Sequence, residues 1–170
     1  MVRPAKESDL AGILEIYNDA ILNTTAVFQY QARTLEDRLE WFKEKMADGY
    51  PVLVYEDNGR IAGYATFGPF RPSSAYKYTV ENSVHVHRDY RGRGIGRRLM
   101  EELIRLANEK GYATMIAGVE ATNAASIALH EKLGFRLAGT VKKAGFKFGK
   151  WLDLAFYQRE LDGPAAPEEG

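Results

Sequence analysis

The sequence contains no cysteine, no excess of charge of either sign and no long apolar run. Without cysteine there can be no disulfide, thiolate zinc site or cysteine nucleophile, and a reducing compartment is compatible. The 23 basic residues balance the 23 acidic ones, which argues against a general nucleic-acid or membrane-surface binder. No segment approaches the roughly 18 apolar residues that span a bilayer, and the N-terminus lacks the apolar stretch of a signal peptide. We therefore expect a cytoplasmic protein.

The 170 residues have the length and composition of one domain with a single core. Hydrophobic periodicity predicts the order β-α-α-β-β-β-α-β-α-β-β within residues 1–162. Residues 163–170, rich in Gly, Pro and Glu, are expected to form a flexible tail. Ser8 is a candidate N-cap of the first helix, and Thr34 with Asp37 resembles a capping box that opens the second.

Two further expectations concern the second helix and the last two strands. The apolar stripe of the second helix is predicted to consist of four residues at helical spacing, Leu35, Leu39, Phe42 and Met46. The last two strands, residues 135–141 and 151–159, are predicted to flank a Gly/Lys-rich loop at residues 142–150.

The segment from Arg88 to Arg98 concentrates basic residues and glycines. It holds five arginines and a single acid, with Gly92, Gly94 and Gly96 between a predicted strand and the clearest helix. Glycine lets backbone approach a ligand closely, and a helix start presents unpaired N–H groups to an anion. A solvated basic turn is the alternative, but the glycine spacing at a helix start favours a diphosphate cradle.

The order of residues in this cradle distinguishes between nucleotide-binding motifs. Leu99 stands where the dinucleotide fingerprint would have its last glycine, and no Gly-Lys-Ser/Thr of a phosphate loop is present. The run Arg91-Gly92-Arg93-Gly94-Ile95-Gly96 instead resembles the acetyl-CoA pyrophosphate loop of the GNAT N-acetyltransferases. Residues 78–84, 123–135 and 149–153 resemble the phosphinothricin/methionine sulfoximine acetyltransferase subfamily, and the match spans about residues 2–161.

The resemblance implies an α/β (α+β) GNAT fold, with a central mixed, mostly antiparallel sheet of about seven strands flanked by about four helices. The strands at residues 78–87 and 114–119 would splay apart to admit acetyl-CoA, with its amides on the backbone of Val84 and Val86 and its diphosphate on the loop. The cofactor-binding residues that it implies are Val84, His85, Val86, Arg91, Gly92, Arg93, Gly94, Ile95, Gly96, Arg97, Asn123 and Ser126. Asn123 is expected at least to cap its helix. Three histidines without cysteine give no zinc-ligand spacing, so no metal is predicted.

Glu81 and His130 are the candidate catalytic residues. Acetyl transfer to an amino acid needs a neutral amine, and Glu81 is the candidate base because it lies on the strand that should hold the acetyl group. An ordinary exposed strand carboxylate is the alternative. The subfamily places a histidine at the position of His130, where it would act as acid or base, but a structural core histidine is also open. His85 departs from the tyrosine that is more usual in the subfamily.

The resemblance further implies a small amino-acid-like acceptor and a homodimer that the segment 142–150 could help to form. The candidate acceptor-binding residues are Phe28, Tyr30, Arg71, Ser74, Tyr76 and Lys77, with Lys147 as a further cation. The expected reaction is direct transfer of acetyl from acetyl-CoA, in a ternary complex, to the α-amine of a phosphinothricin, methionine sulfoximine or methionine sulfone type of substrate. The alternatives are acetylation of a protein or peptide by the same fold, and a non-catalytic acyl-CoA sensor.

Overall fold

The computed structural model describes residues 1–170 and confirms the predicted order of elements. These are β1 (Val2–Pro4), α1 (Leu10–Asn23), α2 (Leu35–Asp48), β2 (Val52–Asp57), β3 (Arg60–Pro69), β4 (Thr79–Val86), α3 (Ile95–Glu109), β5 (Thr114–Glu120), α4 (Ala124–Lys132), β6 (Arg136–Lys147) and β7 (Lys150–Glu160). Single 3-10 turns lie at residues 7–9, 74–76 and 88–90. None of the helices has both the length and the apolar character needed to cross a membrane.

The seven strands form one sheet in the order β1-β2-β3-β4-β5-β7-β6. Only β4 and β5 run parallel, so the sheet is mixed and mostly antiparallel, as predicted. Successive residues of a strand face opposite sides. Val52 and Val54 accordingly pack with α1 and α2, whereas Leu53 packs with α3. The sheet is therefore covered on both faces, and a ligand can reach its interior only where the sheet itself opens.

The opening lies between β4 and β5. Their pairing begins at Thr79 with Thr114 and ends at Asn82 with Ala117, although β4 continues to Val86. β5 meanwhile stays paired with β7 as far as Glu120. The two parallel strands therefore diverge beyond Asn82, which we call the fork, and the predicted splay of the sheet is confirmed.

The helix boundaries show which of the predicted helix caps are correct. Asp37 N–H donates to Thr34 Oγ1 at 3.1 Å and Thr34 N–H donates to Asp37 Oδ2 at 3.0 Å, so the capping box is confirmed. The Ser8 cap is wrong: Ser8 lies inside a 3-10 turn, and the carboxylate of Asp9 instead accepts the Lys6 N–H at 2.7 Å. An ionised carboxylate is the stronger acceptor of the two side chains.

The predicted stripe of α2 is only partly correct. Phe42 is buried, but Leu35 and Met46 are 53% and 47% exposed. Arg38 of α2 is buried instead of these two residues, and its guanidinium carbon lies 4.1 Å from the centre of the Tyr17 ring. Stacking on an aromatic face stabilises a cation and keeps its stem in the apolar layer. Spacing of apolar residues alone does not reveal this arrangement.

The Gly/Lys-rich segment is also not a loop. β6 extends to Lys147 and pairs with β7 from Lys150, so only Phe148 and Gly149 form the turn. Both turn residues have positive φ, 52° and 73°, as a two-residue type I′ hairpin requires. Phenylalanine is an unusual residue in that position, which explains why the sequence predicted a longer loop.

Candidate active site

A cavity of about 1240 Å³ occupies the fork and continues to both faces of the sheet. On one side it is lined by α1 and the segment after it, including Tyr17 and Phe28. On the other side it is lined by residues 90–97 and by α4, including His130. One cavity therefore connects the face that carries α1 and α2 with the face that carries α3 and α4.

The backbone of β4 has free polar groups at the fork. His87 N–H donates to Ala62 O at 2.8 Å, and hydrogen-bonded pairs alternate along an antiparallel ladder. The odd-numbered residues of β4 therefore bond to β3, and Val84 and Val86 direct their N–H and C=O groups towards the side that β5 has left. These groups can bind an extended, amide-containing ligand as an added strand would be bound.

The glycine loop meets the same cavity at the start of α3. Gly92 and Gly94 have left-handed backbone, with φ of 77° and 74°, and the space where each would carry a Cβ is open to 4 Å. Because α3 begins at Ile95, its first N–H groups have no partner within the helix. The loop therefore presents bare backbone and a helix N-terminus to an anion.

Only one arginine of the basic segment is both at the cavity and unpaired. Arg91 lines the cavity and makes no hydrogen bond or ion pair. Arg97 also lines it, but its Nε donates to Glu101 at 2.8 Å. Arg93 stacks on Tyr90 with its guanidinium carbon 5.1 Å from the ring centre and does not line the cavity. Arg91 is thus the arginine best placed for a phosphate.

Glu81 lies at the fork as an unpartnered carboxylate. It lines the cavity, is partly buried and makes no hydrogen bond to the protein. Burial raises its pKa above the ordinary value of 4.5, and the nearby charge of Arg71 opposes this rise. Glu81 Oε2 lies 3.2 Å from where Gly118 of β5 would carry a Cβ. The bare glycine therefore leaves room for the carboxylate at the opening.

His130 has both ring nitrogens bonded inside the protein. Its Nδ1 lies 2.7 Å from Ser126 O, and because a carbonyl only accepts, Nδ1 carries the proton. Nε2 must then accept, and Asn82 Nδ2 donates to it at 3.1 Å. The ring is 2% exposed, and burial lowers its pKa below 6.5. The histidine is therefore a neutral imidazole in a single tautomer.

Glu81 and His130 line the same cavity from opposite faces of β4. The side chain of Asn82 points to His130, so that of its neighbour Glu81 points to the other face. His85 shares the Glu81 face and packs edge-on against Tyr17 at 6.1 Å. Burial lowers the pKa of His85 to about 4, helped by the charges of nearby arginines. His85 is therefore neutral at physiological pH.

Of the predicted acceptor-binding residues, Phe28 alone lines the cavity. Tyr30 is exposed and its hydroxyl donates to Phe146 O. Arg71 stacks on Phe70 at 4.3 Å and is exposed. The other three are exposed and lie at or next to the 3-10 turn that precedes β4: Ser74, Tyr76 and Lys77. Binding of an acceptor by these residues stays a prediction.

Of the predicted cofactor-binding residues, all but Arg93 line the cavity. Asn123 also caps α4, since its Oδ1 accepts the Ser126 N–H at 3.2 Å, which confirms the capping prediction.

Lys147 was expected in a loop that faces the acceptor. It is instead buried at the end of β6, and its ammonium donates to Thr24 O and Val27 O, each at 2.7 Å. Burial lowers the pKa of this ammonium. Lys147 therefore ties the cavity wall that follows α1 to the distant β6–β7 hairpin.

Residues that the sequence did not single out complete the walls: Tyr17, Asn82 and Gly118. For Gly118 a signal existed, because a glycine inside a strand marks a close approach. Asn82 could be identified only from its partner, which is 48 residues away.

The β6–β7 hairpin exposes an apolar surface beside the cavity. β6 is an edge strand, and five large apolar side chains on the hairpin are at least 47% exposed: Leu137, Val141, Phe146, Phe148 and Trp151. Phe148 also lines the cavity. Several large exposed apolar side chains on an edge hairpin are typical of a protein interface.

Comparisons with a family model and with a curated relative both identify acetyltransferases. Residues 13–135 match the family model described as the acetyltransferase (GNAT) family. The chain is 46% identical over 167 residues to the L-methionine sulfoximine/L-methionine sulfone acetyltransferase of Salmonella typhimurium, covering 98% of each protein.

Two solved structures are similar over nearly their full lengths. The phosphinothricin acetyltransferase of Sinorhizobium meliloti in complex with acetyl-CoA has a TM-score of 0.94 and 38% identity, covering 98% of this chain and 91% of that one. The ribosomal-protein-alanine N-acetyltransferase of Brucella melitensis has a TM-score of 0.93 and 49% identity, with coverages of 95% and 99%.

Proposed function

The chain belongs to the GNAT family of acetyltransferases, and we propose that it transfers the acetyl group of acetyl-CoA to the α-amine of a small amino-acid analogue. Phosphinothricin, methionine sulfoximine and methionine sulfone represent the substrate class. The observation that carries the proposal is the fork, where one cavity joins an unpartnered carboxylate, Glu81, to a glycine loop at a helix start. The relative from Salmonella typhimurium supports the acceptor class.

The residues present fit acetyl-CoA. The diphosphate fits the helix start and the bare backbone of Gly92 and Gly94, with Arg91 as an unpaired counter-charge. The arm carries amide groups, which fit the free backbone groups of Val84 and Val86. When bound, acetyl-CoA supplies an acetyl group activated as a thioester. The solved relative that contains acetyl-CoA supports this assignment.

Glu81 is proposed to remove the proton from the ammonium group of the acceptor. An amino-acid amine has a pKa well above 7 and attacks only when it is neutral. The carboxylate has no partner in the protein, and its raised pKa makes it a better proton acceptor than an exposed carboxylate. The neutral amine then attacks the acetyl carbon directly, with both substrates bound: the new carbon–nitrogen bond forms, the carbon–sulfur bond breaks, and the proton that the nitrogen loses neutralises the leaving thiolate.

The acceptor is proposed to bind on the α1 side of the fork, between Phe28 and the charge of Arg71. Tyr30, Ser74, Tyr76 and Lys77 lie farther out, and we propose that they act at the entrance. A homodimer through the apolar hairpin surface would cover that entrance, since Phe148 belongs to both the surface and the cavity wall.

The acetyl-CoA site is tested with one variant and a matched control. Gly94→Asp adds a side chain and a negative charge to the cradle, and we expect acetyl-CoA binding to weaken by more than about tenfold. Gly59→Asp makes the same change at another left-handed glycine, φ 81°, with open space around it and away from the cavity. Calorimetry should show normal affinity for Gly59→Asp, and equal affinity of both variants would remove the loop from the site.

The acceptor class is tested by thiol release from acetyl-CoA. Methionine sulfoximine, methionine sulfone, phosphinothricin, other amino acids and peptides that begin with alanine form the panel. The second candidate function is acetylation of a protein N-terminus, which the similarity to the Brucella melitensis structure favours. Higher kcat/KM for the peptides would select it. Acetyl-CoA binding without turnover on any amine would select a sensor instead.

A further inference from the structure

Asn82 leaves one polar atom unused at the point where the sheet opens. It is the last residue of β4 that pairs with β5, and its side chain is buried at 6% exposure. Its Nδ2 donates to His130 Nε2 at 3.1 Å and lies 3.6 Å from Met100 Sδ. Its Oδ1 receives no hydrogen bond.

The free oxygen is distinctive within the whole chain. Only two buried side-chain polar atoms lack a partner, Arg38 Nε and Asn82 Oδ1. Of these two residues, only Asn82 lines the cavity. Buried acceptors are normally hydrogen-bonded, so a donor is missing from this wall. Asn82 is also followed along β4 by Val84 and Val86, whose free backbone groups lie on the edge that β5 has left and fit the acetyl-CoA arm.

His130 determines which way the Asn82 amide points. Because Nδ1–H is used on Ser126 O, only the lone pair of Nε2 faces Asn82. The amide must therefore present its NH₂ group to the ring, since its oxygen would meet a second lone pair. The oxygen is left for another donor. The ring itself is held against Phe135, edge-on at 4.9 Å between ring centres.

We propose that His130 is a positioning residue: it holds the amide of Asn82 so that Oδ1 accepts a hydrogen bond from the acetyl-CoA arm, at the amide N–H nearest the thioester. This inference rests on the acetyl-CoA site proposed above. It assigns His130 no proton transfer, because neither ring nitrogen has a free proton or a free lone pair for a substrate.

Two substitutions of His130 separate positioning from proton transfer. His130→Gln keeps an acceptor oxygen near the position of Nε2, whereas His130→Asn keeps a polar group only near Nδ1. Positioning predicts that His130→Asn weakens acetyl-CoA binding by roughly tenfold, the effect of losing one buried hydrogen bond, and that His130→Gln weakens it less. Proton transfer predicts that both lower kcat by about 10²–10⁴ with affinity unchanged.

The coupling between the two residues is measured by a double-mutant cycle. Asn82→Leu should weaken acetyl-CoA binding about as much as His130→Asn, and the double variant should bind no more weakly than either single variant. Additive losses would show that the residues act separately and would overturn the inference. Calorimetry gives these affinities without any turnover.

Nitrogen NMR of the wild-type protein tests the arrangement even if a variant fails to fold. The free protein should show His130 as the Nδ1–H tautomer, and CoA should shift the side-chain amide signals of Asn82. A protonated ring at neutral pH, or unmoved amide signals on saturation with CoA, would overturn the inference. A wild-type protein that bound no CoA would instead remove the proposed function, together with the role of Asn82.

Discussion

Glu81→Gln tests the proposed base most directly. The amide keeps the shape of the carboxylate and cannot take a proton at neutral pH. Glu81 makes no hydrogen bond to the protein, so the substitution breaks no structural contact. We expect kcat to fall by about 10²–10⁴, the usual contribution of a positioned base, with acetyl-CoA affinity unchanged.

The pH profile identifies the cause of the loss. Burial raises the pKa of Glu81, so the wild-type kcat/KM should fall as pH drops through a value above 4.5, where the carboxylate becomes protonated. Glu81→Gln should lack this limb, and its deficit should shrink as pH rises towards the pKa of the amine. Arg71 lowers the pKa of Glu81, so Arg71→Ala should move the limb to higher pH.

Thiol release from acetyl-CoA measures these rates, and Glu131→Gln is the control. Glu131 is exposed in α4, and its substitution by glutamine removes the same charge as Glu81→Gln does. Turnover of Glu81→Gln within twofold of wild type would refute the base assignment. A deficit that did not change with pH would show that Glu81 positions the amine rather than deprotonating it.

Two further predictions concern stability. The pKa of His85 is about 4 in the fold, below its ordinary value of 6.5. Between these pH values the unfolded chain binds more protons at this residue, so the contribution of His85 to the free energy of unfolding should fall by about 3 kcal/mol as pH drops from 6.5 to 4. His85→Phe should flatten this dependence in urea titrations at several pH values, and an unchanged slope would contradict it. Lys147→Met leaves Thr24 O and Val27 O without their donor and should cost about 2–4 kcal/mol in the same titrations. The exposed Lys150→Met should cost almost nothing.

The order of elements was predictable because its signals are local. Hydrophobic periodicity and capping signals predicted most elements, as the confirmed capping box at Thr34 shows. Two of the errors in local structure have simple physical causes. At Ser8 a stronger acceptor one residue later prevailed, and at Phe148 tertiary pairing imposed a left-handed turn that the residue type does not favour.

The parts of the candidate site that are continuous in sequence were the most directly predictable. The glycine loop and the Asn123 cap are local, and the structure brings both to the cavity. Lys147 donates to carbonyls that are 120 and 123 residues away. Its place in a Gly/Lys-rich segment suggested a cation for the substrate, but in the fold its ammonium connects two distant segments of the chain. Asn82, which donates to His130, is likewise on a different element, whereas the proton on Nδ1 follows from the Ser126 carbonyl within the same helix.

The fork also explains why two consecutive residues can serve different ligands. Glu81 and Asn82 are neighbours in β4, so their side chains must point to opposite faces of the sheet. In a closed sheet they would face separate layers, but here pairing with β5 stops at Asn82, and both line one cavity. The carboxylate that we propose for the acceptor and the amide that we propose for acetyl-CoA thus meet across the thickness of a single strand. A shift of β4 by one residue against β3 would exchange the two faces, so the proposed active site depends on the register that pairs Gly68 with Glu81.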